Sequence, residues 1–163
     1  MTTKKILLVD DDHDFISAIA TMLTVKGYEI KIAYNSDEGY EVAQIFKPDL
    51  FILDVNMETN SAGFELNKKL RSSADFSSTP IIILTGVDTM VASNMIVDMY
   101  NEMEGIDGFK NDKVLKVRDA DGTVGVDYKT DSGQRYFLLL DSFIGKPVES
   151  DQLLKEIKKF LKD

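Results

Sequence analysis

The sequence predicts an α/β fold: a doubly wound parallel sheet of five strands with helices on both faces. Two observations predict it. Short apolar runs, several ending at a polar residue, alternate along the chain with segments of helical apolar spacing. Such alternation implies buried parallel strands covered on both sides. The chain has 163 residues of which 44% are hydrophobic, enough for one domain with a real core.

The elements follow in order. Lys5 to Val9 is a short apolar run ending at Asp10, too short for a helix, and reads as a strand. Asp12 or Asp14 can cap a helix in which Phe15, Ile16, Ile19, Met22 and Leu23 recur at helical spacing and which Gly27 stops. Tyr28 to Ala33 gives a second strand. Ser36, followed by Asp37 and Glu38, opens a helix to Phe46, ended by Lys47-Pro48. Asp49 to Leu53 is a third strand, again ending at an aspartate, Asp54. Gly63 to Ser72 reads as helix, and Thr79-Pro80 introduces a fourth strand, Ile81 to Leu84, ending at Thr85-Gly86. A polar helix is expected from about Asp88 to Tyr100. Ser142 to Gly145 reads as a fifth strand ending at Lys146-Pro147. Ser150 caps a last helix with Leu153, Leu154, Ile157, Phe160 and Leu161 inward.

Residues 101–140 break the alternation. Asp121-Gly122 is a hairpin turn signal, with Val114, Leu115 and Val117 before it and Thr123, Val124, Val126 and Tyr128 after it. Asp131-Ser132-Gly133 is a second turn signal, and Tyr136 to Leu140 can form another strand. An inserted β-hairpin or three-strand meander is expected between the fourth helix and the fifth strand. Residues 1–163 then make a single domain with 101–140 as an inserted subregion. Asp119 and Asp121 before Gly122 have the look of a calcium loop. Val117 stands where its first ligand should be, however, and Tyr128 where its bidentate glutamate should be.

Bulk properties exclude several classes. Cysteine is absent, so there are no disulfides, thiol chemistry or cysteine-bound metals. No apolar run approaches the roughly 20 residues of a membrane span, and Ile6 to Val9 is too short for a signal peptide. Cytoplasmic localisation is the expectation. The formal net charge of −9 opposes direct nucleic-acid binding. Lys155, Lys158, Lys159 and Lys162 lie in the last helix, but Asp151, Glu156 and Asp163 dilute them.

The chemistry gathers at strand ends. Asp10 and Asp11, Asp54, Thr85 and Lys146 each follow or close a predicted parallel strand, so all reach one rim of the sheet. Open α/β sheets place ligands there. Taken singly, each residue has an ordinary reading: the consecutive aspartates from Asp10 as helix caps, Asp54 as a loop residue, Thr85 as a turn hydroxyl, Lys146 as a solvated lysine. His13 reads as a surface residue. Together they form a pattern. Clustered carboxylates repel, and a divalent cation resolves the conflict. Magnesium prefers oxygen ligands and shares its site with phosphate. A lysine supplies a point charge and a threonine a hydroxyl donor for phosphoryl oxygens. An aspartate can serve as the nucleophile.

These residues resemble the response-regulator receiver domain of two-component signalling. Ile6 to Asp12 (ILLVDDD) resembles its opening strand and acidic pair, and Asp49 to Asp54 (DLFILD) its phosphoacceptor strand. Ile81 to Gly86 (IIILTG) and Phe143 to Pro147 (FIGKP) resemble its other two motifs. The resemblance covers about residues 4–98 and 141–162. It implies a flavodoxin-like sheet of order 2-1-3-4-5, with Asp54 accepting a phosphoryl group from a sensor histidine kinase or histidine phosphotransfer protein. Asp10, Asp11, Asp54 and the Asn56 backbone carbonyl would hold Mg2+. Lys146 and Thr85 would contact phosphoryl oxygens, and Thr85 and Phe143 would form the conformational switch. Phe143 can equally be a plain core residue. The domain would catalyse only its own phosphorylation and dephosphorylation, and so would not be an enzyme with an external substrate. With no room after the last helix for an output domain, output would run through an unknown downstream protein or a second copy of the chain, without direct contact to nucleic acid or membrane.

The sequence departs from the family pattern. Glu58 stands where a proline is usual, and the glycine expected eight residues after the acceptor is shifted to Gly63, as if one residue were inserted. Two rival readings remain. One is a phosphate-independent pseudo-receiver. The other is a haloacid-dehalogenase-like phosphatase with Asp10 as nucleophile and Asp12 as general acid, although Asp14 stands where that motif wants threonine or valine.

Overall fold

The computed structural model describes residues 2–55, 57, 62–85, 90–92, 114–118, 124–129 and 135–162, with side chains for 2–55, 57, 62–84 and 141–162. Its main body is a five-stranded sheet. Strands β1 (Lys5–Val9), β2 (Glu29–Ala33), β3 (Leu50–Asp54) and β4 (Ile81–Thr85) are joined by β9 (Ser142–Gly145). The order is β2-β1-β3-β4-β9 and every pairing is parallel. With β9 as the fifth strand of this sheet, the expected order 2-1-3-4-5 is observed.

Alternation along each strand divides the core in two. Leu7, Val9, Phe51, Leu53, Ile81 and Ile83 point to one face, against Ala43 and Phe46 of α2 (Ser36–Phe46) and Phe64, Leu66 and Leu70 of α3 (Ala62–Arg71). Ile6, Leu8, Leu50, Ile52, Ile82, Leu84 and Ile144 point to the other. They meet Ile16, Ile19 and Leu23 of α1 (His13–Val25), and Leu153 and Ile157 of α4 (Ser150–Phe160). A period of two in the strands thus feeds two apolar layers, as a sheet covered on both faces requires.

Helix boundaries show which local signals act. The Asp12 side chain accepts from the Phe15 N–H at 3.1 Å and caps α1, and Gly27 takes the positive φ of +96° that ends the turn behind it. Ser36 opens α2 as expected, and Asn35 before it is the cap. Its side chain accepts from the Glu38 N–H at 2.8 Å, while Glu38 Oε2 reaches back to the Tyr34 N–H. Ser150, expected to cap α4, is instead its first helical residue. Glu149 is the capping position and contributes no side-chain cap bond.

A second sheet has the order β5-β6-β7-β8. Strands β6 (Val114–Arg118), β7 (Val124–Lys129) and β8 (Arg135–Leu140) form the expected antiparallel meander. Its two turn segments lie outside the described residues. One expectation fails: Met90–Ala92, placed in a helix from about Asp88, is β5 and pairs parallel with Leu115 to Val117. Pairing with a strand more than twenty residues away overrides the local helical pattern there. The remaining residues of that expected helix lie outside the described ones.

Only Asp141 separates β8 from β9. Its carboxylate accepts the Ile81 backbone N–H at 2.8 Å and pairs with the Arg71 guanidinium. Arg71 also donates to the carbonyls of Phe76 and Thr79, so one cation holds the loop after α3 against the start of β4. Asp141→Ala is expected to lower the unfolding free energy by about 1–3 kcal/mol, measured by urea denaturation. Combining it with Arg71→Ala should cost less than the sum of the two. Full additivity would show that the pair does not act as a unit.

Candidate phosphoryl-acceptor site

Register builds the site. Val9 pairs with Leu53, which sets Asp10 level with Asp54 at the carboxyl ends of β1 and β3. Asp54 pairs with Leu84 and Thr85 with Gly145, which sets Lys146 just beyond the same rim. Four strands therefore deliver the predicted residues to one edge.

The side chains meet there. Lys146 Nζ lies 3.0 Å from Asp10 Oδ2 and 3.2 Å from Asp54 Oδ1. Asp10 is 1% exposed and Asp54 6%, whereas the Lys146 side chain keeps 23% of its surface open. Asp11 is exposed, and one carboxylate oxygen from each of Asp10, Asp11 and Asp54 lies within 4.8 Å of the others. Asp10 Oδ1 accepts the Asp12 backbone N–H at 2.9 Å, which fixes the acidic loop. Converging carboxylate oxygens, one group open to solvent, form a donor set that fits a hard divalent cation.

The electrostatics follow from burial. Desolvation, with repulsion from Asp10 second, raises the Asp54 carboxyl from its ordinary 3.8 to about 6; Lys146 and the Val55 N–H oppose the rise. Burial alone would lower the Lys146 pKa, but the Asp10 and Asp54 carboxylates together raise it above 10.5, so the lysine stays a cation.

The glycine shift has a physical reason. A Cβ at Gly63 would overlap the Asp54 carbonyl oxygen and come within 2.8 Å of Val55 Cα, while the Gly63 N–H donates to the Val55 carbonyl at 3.0 Å. The first turn of α3 therefore packs directly on the backbone of Asp54 and Val55, and only glycine fits. Asn56 and Glu58 lie outside the described residues. Thr85 closes β4, beside Gly145, with its backbone alone described. Phe143 points inward, 9% exposed, in the core layer of α2 and α3. His13 is exposed as expected, and stacks on Tyr34 with ring centroids 3.9 Å apart. Sequence reasoning read Phe15 only as part of the apolar face of α1. Its ring centroid lies 4.3 Å from Lys146 Nζ, a contact that spacing within one helix could not reveal.

A family model described as the response regulator receiver domain matches residues 6–101. The chain belongs to that family. Among curated relatives, the protein RcaC of Microchaete diplosiphon is 32% identical over 81 residues, 50% of this chain and 12% of RcaC. The transcriptional regulatory protein DltR of Streptococcus agalactiae is 29% identical over 117 residues, 72% of this chain and 47% of DltR. The response regulator MprA of Mycobacterium ulcerans is 34% identical over 86 residues, 53% of this chain and 36% of MprA. The matched part thus spans less than half the length of each of these relatives. Among solved structures, the chemotaxis response regulator CheY4 of Vibrio cholerae superposes with a TM-score of 0.61 at 23% identity, covering 98% of this chain and 100% of CheY4. A CheY-like receiver protein of Methanospirillum hungatei JF-1 gives 0.61 at 23%, covering 97% and 93%. These two likenesses show the fold alone. Among the described residues of this receiver, no helix is long and apolar enough to cross a membrane.

The raised Asp54 pKa carries a stability consequence. Between pH 3.8 and about 6 the folded receiver binds more protons than the unfolded chain. Stability therefore falls as pH rises through that window, and the deficit is complete above it. In buffer containing a chelator, Asp54→Asn is expected to gain about 1–3 kcal/mol at pH 8, with the gain shrinking toward pH 4. A gain independent of pH, by urea titration, would rule out the buried charge as its cause.

Proposed function

We propose that this receiver is a phosphoacceptor switch in which Asp54 takes a phosphoryl group, with Mg2+, from the phosphohistidine of a sensor kinase or phosphotransfer protein. The observation that carries it is the Lys146 ammonium bridging Asp10 and Asp54 beside the exposed Asp11 carboxylate. An Asp54 carboxylate oxygen attacks phosphorus in line. The bond from phosphorus to the donor imidazole breaks, and the imidazole nitrogen keeps the electron pair. Such transfer asks mainly for position and charge neutralisation. The cation held by Asp10, Asp11, Asp54 and the Asn56 carbonyl would supply neutralisation at the phosphoryl oxygens. Lys146 supplies a further positive charge on one of those oxygens, and the Thr85 hydroxyl donates to another. Thr85 moving toward the phosphoryl group would let Phe143 repack and alter partner affinity. The receiver turns over no external substrate. Its chemistry is confined to its own phosphorylation and dephosphorylation.

Two contacts weigh against the phosphatase reading with Asp10 as nucleophile and Asp12 as acid. Asp12 Oδ1 caps α1, and the two oxygens of the buried Asp10 accept from the Asp12 N–H and Lys146.

Acetyl phosphate with Mg2+ is expected to add one phosphoryl group at Asp54, read by intact mass. Asp54→Asn should abolish the adduct; an adduct surviving that substitution would refute the assignment. Lys146→Ala should retain part of the labelling yet lose the conformational response to beryllofluoride, followed by amide chemical shifts. An unchanged response would remove the lysine from the switch.

A further inference from the structure

We propose that Phe15 is a positioning residue for phosphoryl transfer, its ring face holding the Lys146 ammonium over the Asp10 and Asp54 carboxylates. The role rests on Asp54 being the phosphoacceptor.

An ammonium has three N–H donors. Asp10 Oδ2 and Asp54 Oδ1 take two, at 3.0 and 3.2 Å, and the Phe15 ring lies on a third side with its centroid 4.3 Å away. The negative face of an aromatic ring attracts a cation, more strongly where water is partly excluded. Lys146 has a flexible stem and an opening to solvent, so without the ring it could swing outward.

Phe15 is also tied to the acids. Its N–H bonds the Asp12 carboxylate at 3.1 Å, and the Asp12 N–H bonds Asp10 Oδ1 at 2.9 Å. The first turn of α1 thereby sets the ring relative to Asp10. Burial by α1 is carried by Ile16, Ile19 and Leu23, while Phe15 is only partly buried at the margin of that core.

A ring suits this task better than a third carboxylate. When Asp54 accepts the phosphoryl group, negative charge moves from Oδ1 to the phosphoryl oxygens beyond it. Lys146 must follow. A ring face attracts without a directional hydrogen bond, so the ammonium can pivot without first breaking a strong contact.

The test compares the full chain with Phe15→Leu and Phe15→Tyr. In the starting protein, NMR should place the Lys146 ε-methylene protons upfield through the ring current; Leu should remove that shift and Tyr should keep it. With acetyl phosphate and Mg2+, Leu should slow maximal labelling of Asp54 by roughly threefold to tenfold, leaving half-saturating Mg2+ unchanged, and Tyr should restore the rate. Leu labelling at the starting rate overturns the proposal. So does Tyr as slow as Leu, which would mark a packing role, or an unshifted Lys146 signal in the starting protein. If Leu does not fold, the ring shift and the Tyr rate decide. A starting protein that takes no label at Asp54 removes the phosphoacceptor reading, and this role with it, before any Phe15 variant is compared.

Discussion

The ion pairs of Lys146 with Asp10 and Asp54 are the interaction on which the site depends. Asp10 and Asp54 are nearly water-free, at 1% and 6% exposure, and each would be costly to keep ionised alone. One lysine serves both. With Asp11 added, three carboxylates face a single ammonium, so the rim keeps an excess of negative charge when all are ionised. Packing alone cannot remove that excess. A divalent cation held by the same carboxylates would. The site is therefore incomplete in an electrostatic sense, while the raised Asp54 pKa comes first from burial of its carboxyl and second from repulsion by Asp10.

Holding these charges together requires register more than local conformation. Side chains alternate between faces along a strand, so a slip of one residue would send Leu53 to the wrong core layer and move Asp54 off the level of Asp10. The two apolar layers prevent the slip. Every strand residue from Ile6 to Val9, and from Leu50 to Leu53, is committed to one layer or the other. The core thus fixes the site geometry, and the destabilising charges at the rim are carried by burial elsewhere.

This division explains what was legible in the sequence. The strands were readable because a strand buried on both faces has no room for polar residues, so its end is marked by the first one, as at Asp10, Asp54 and Lys146. The site was readable for the same reason: residues too polar for the layers collect at the rim. Features set by contact between distant segments were not readable. Met90–Ala92 became a strand through pairing with β6. Phe15 gained a polar neighbour from a residue on β9's far end. The closeness of Gly63 to the Asp54 carbonyl depends on how α3 docks, not on its spacing from Asp54 in the chain. The cap of the last helix was off by one because Glu149 and Ser150 are adjacent candidates between which backbone geometry chooses.

The strand carrying Lys146 poses the hardest mechanical demand. β9 has four residues, lies at an edge of the sheet, and pairs only with β4 within it. It also follows the second sheet with one residue between. A strand so short is held weakly by its own ladder. Asp141 stands at that junction. By accepting the Ile81 N–H and pairing with Arg71, it ties the entry of β9 to the start of β4. At the other end, Lys146 is held by Asp10, Asp54 and the ring of Phe15. β9 is thus pinned by charge at both ends.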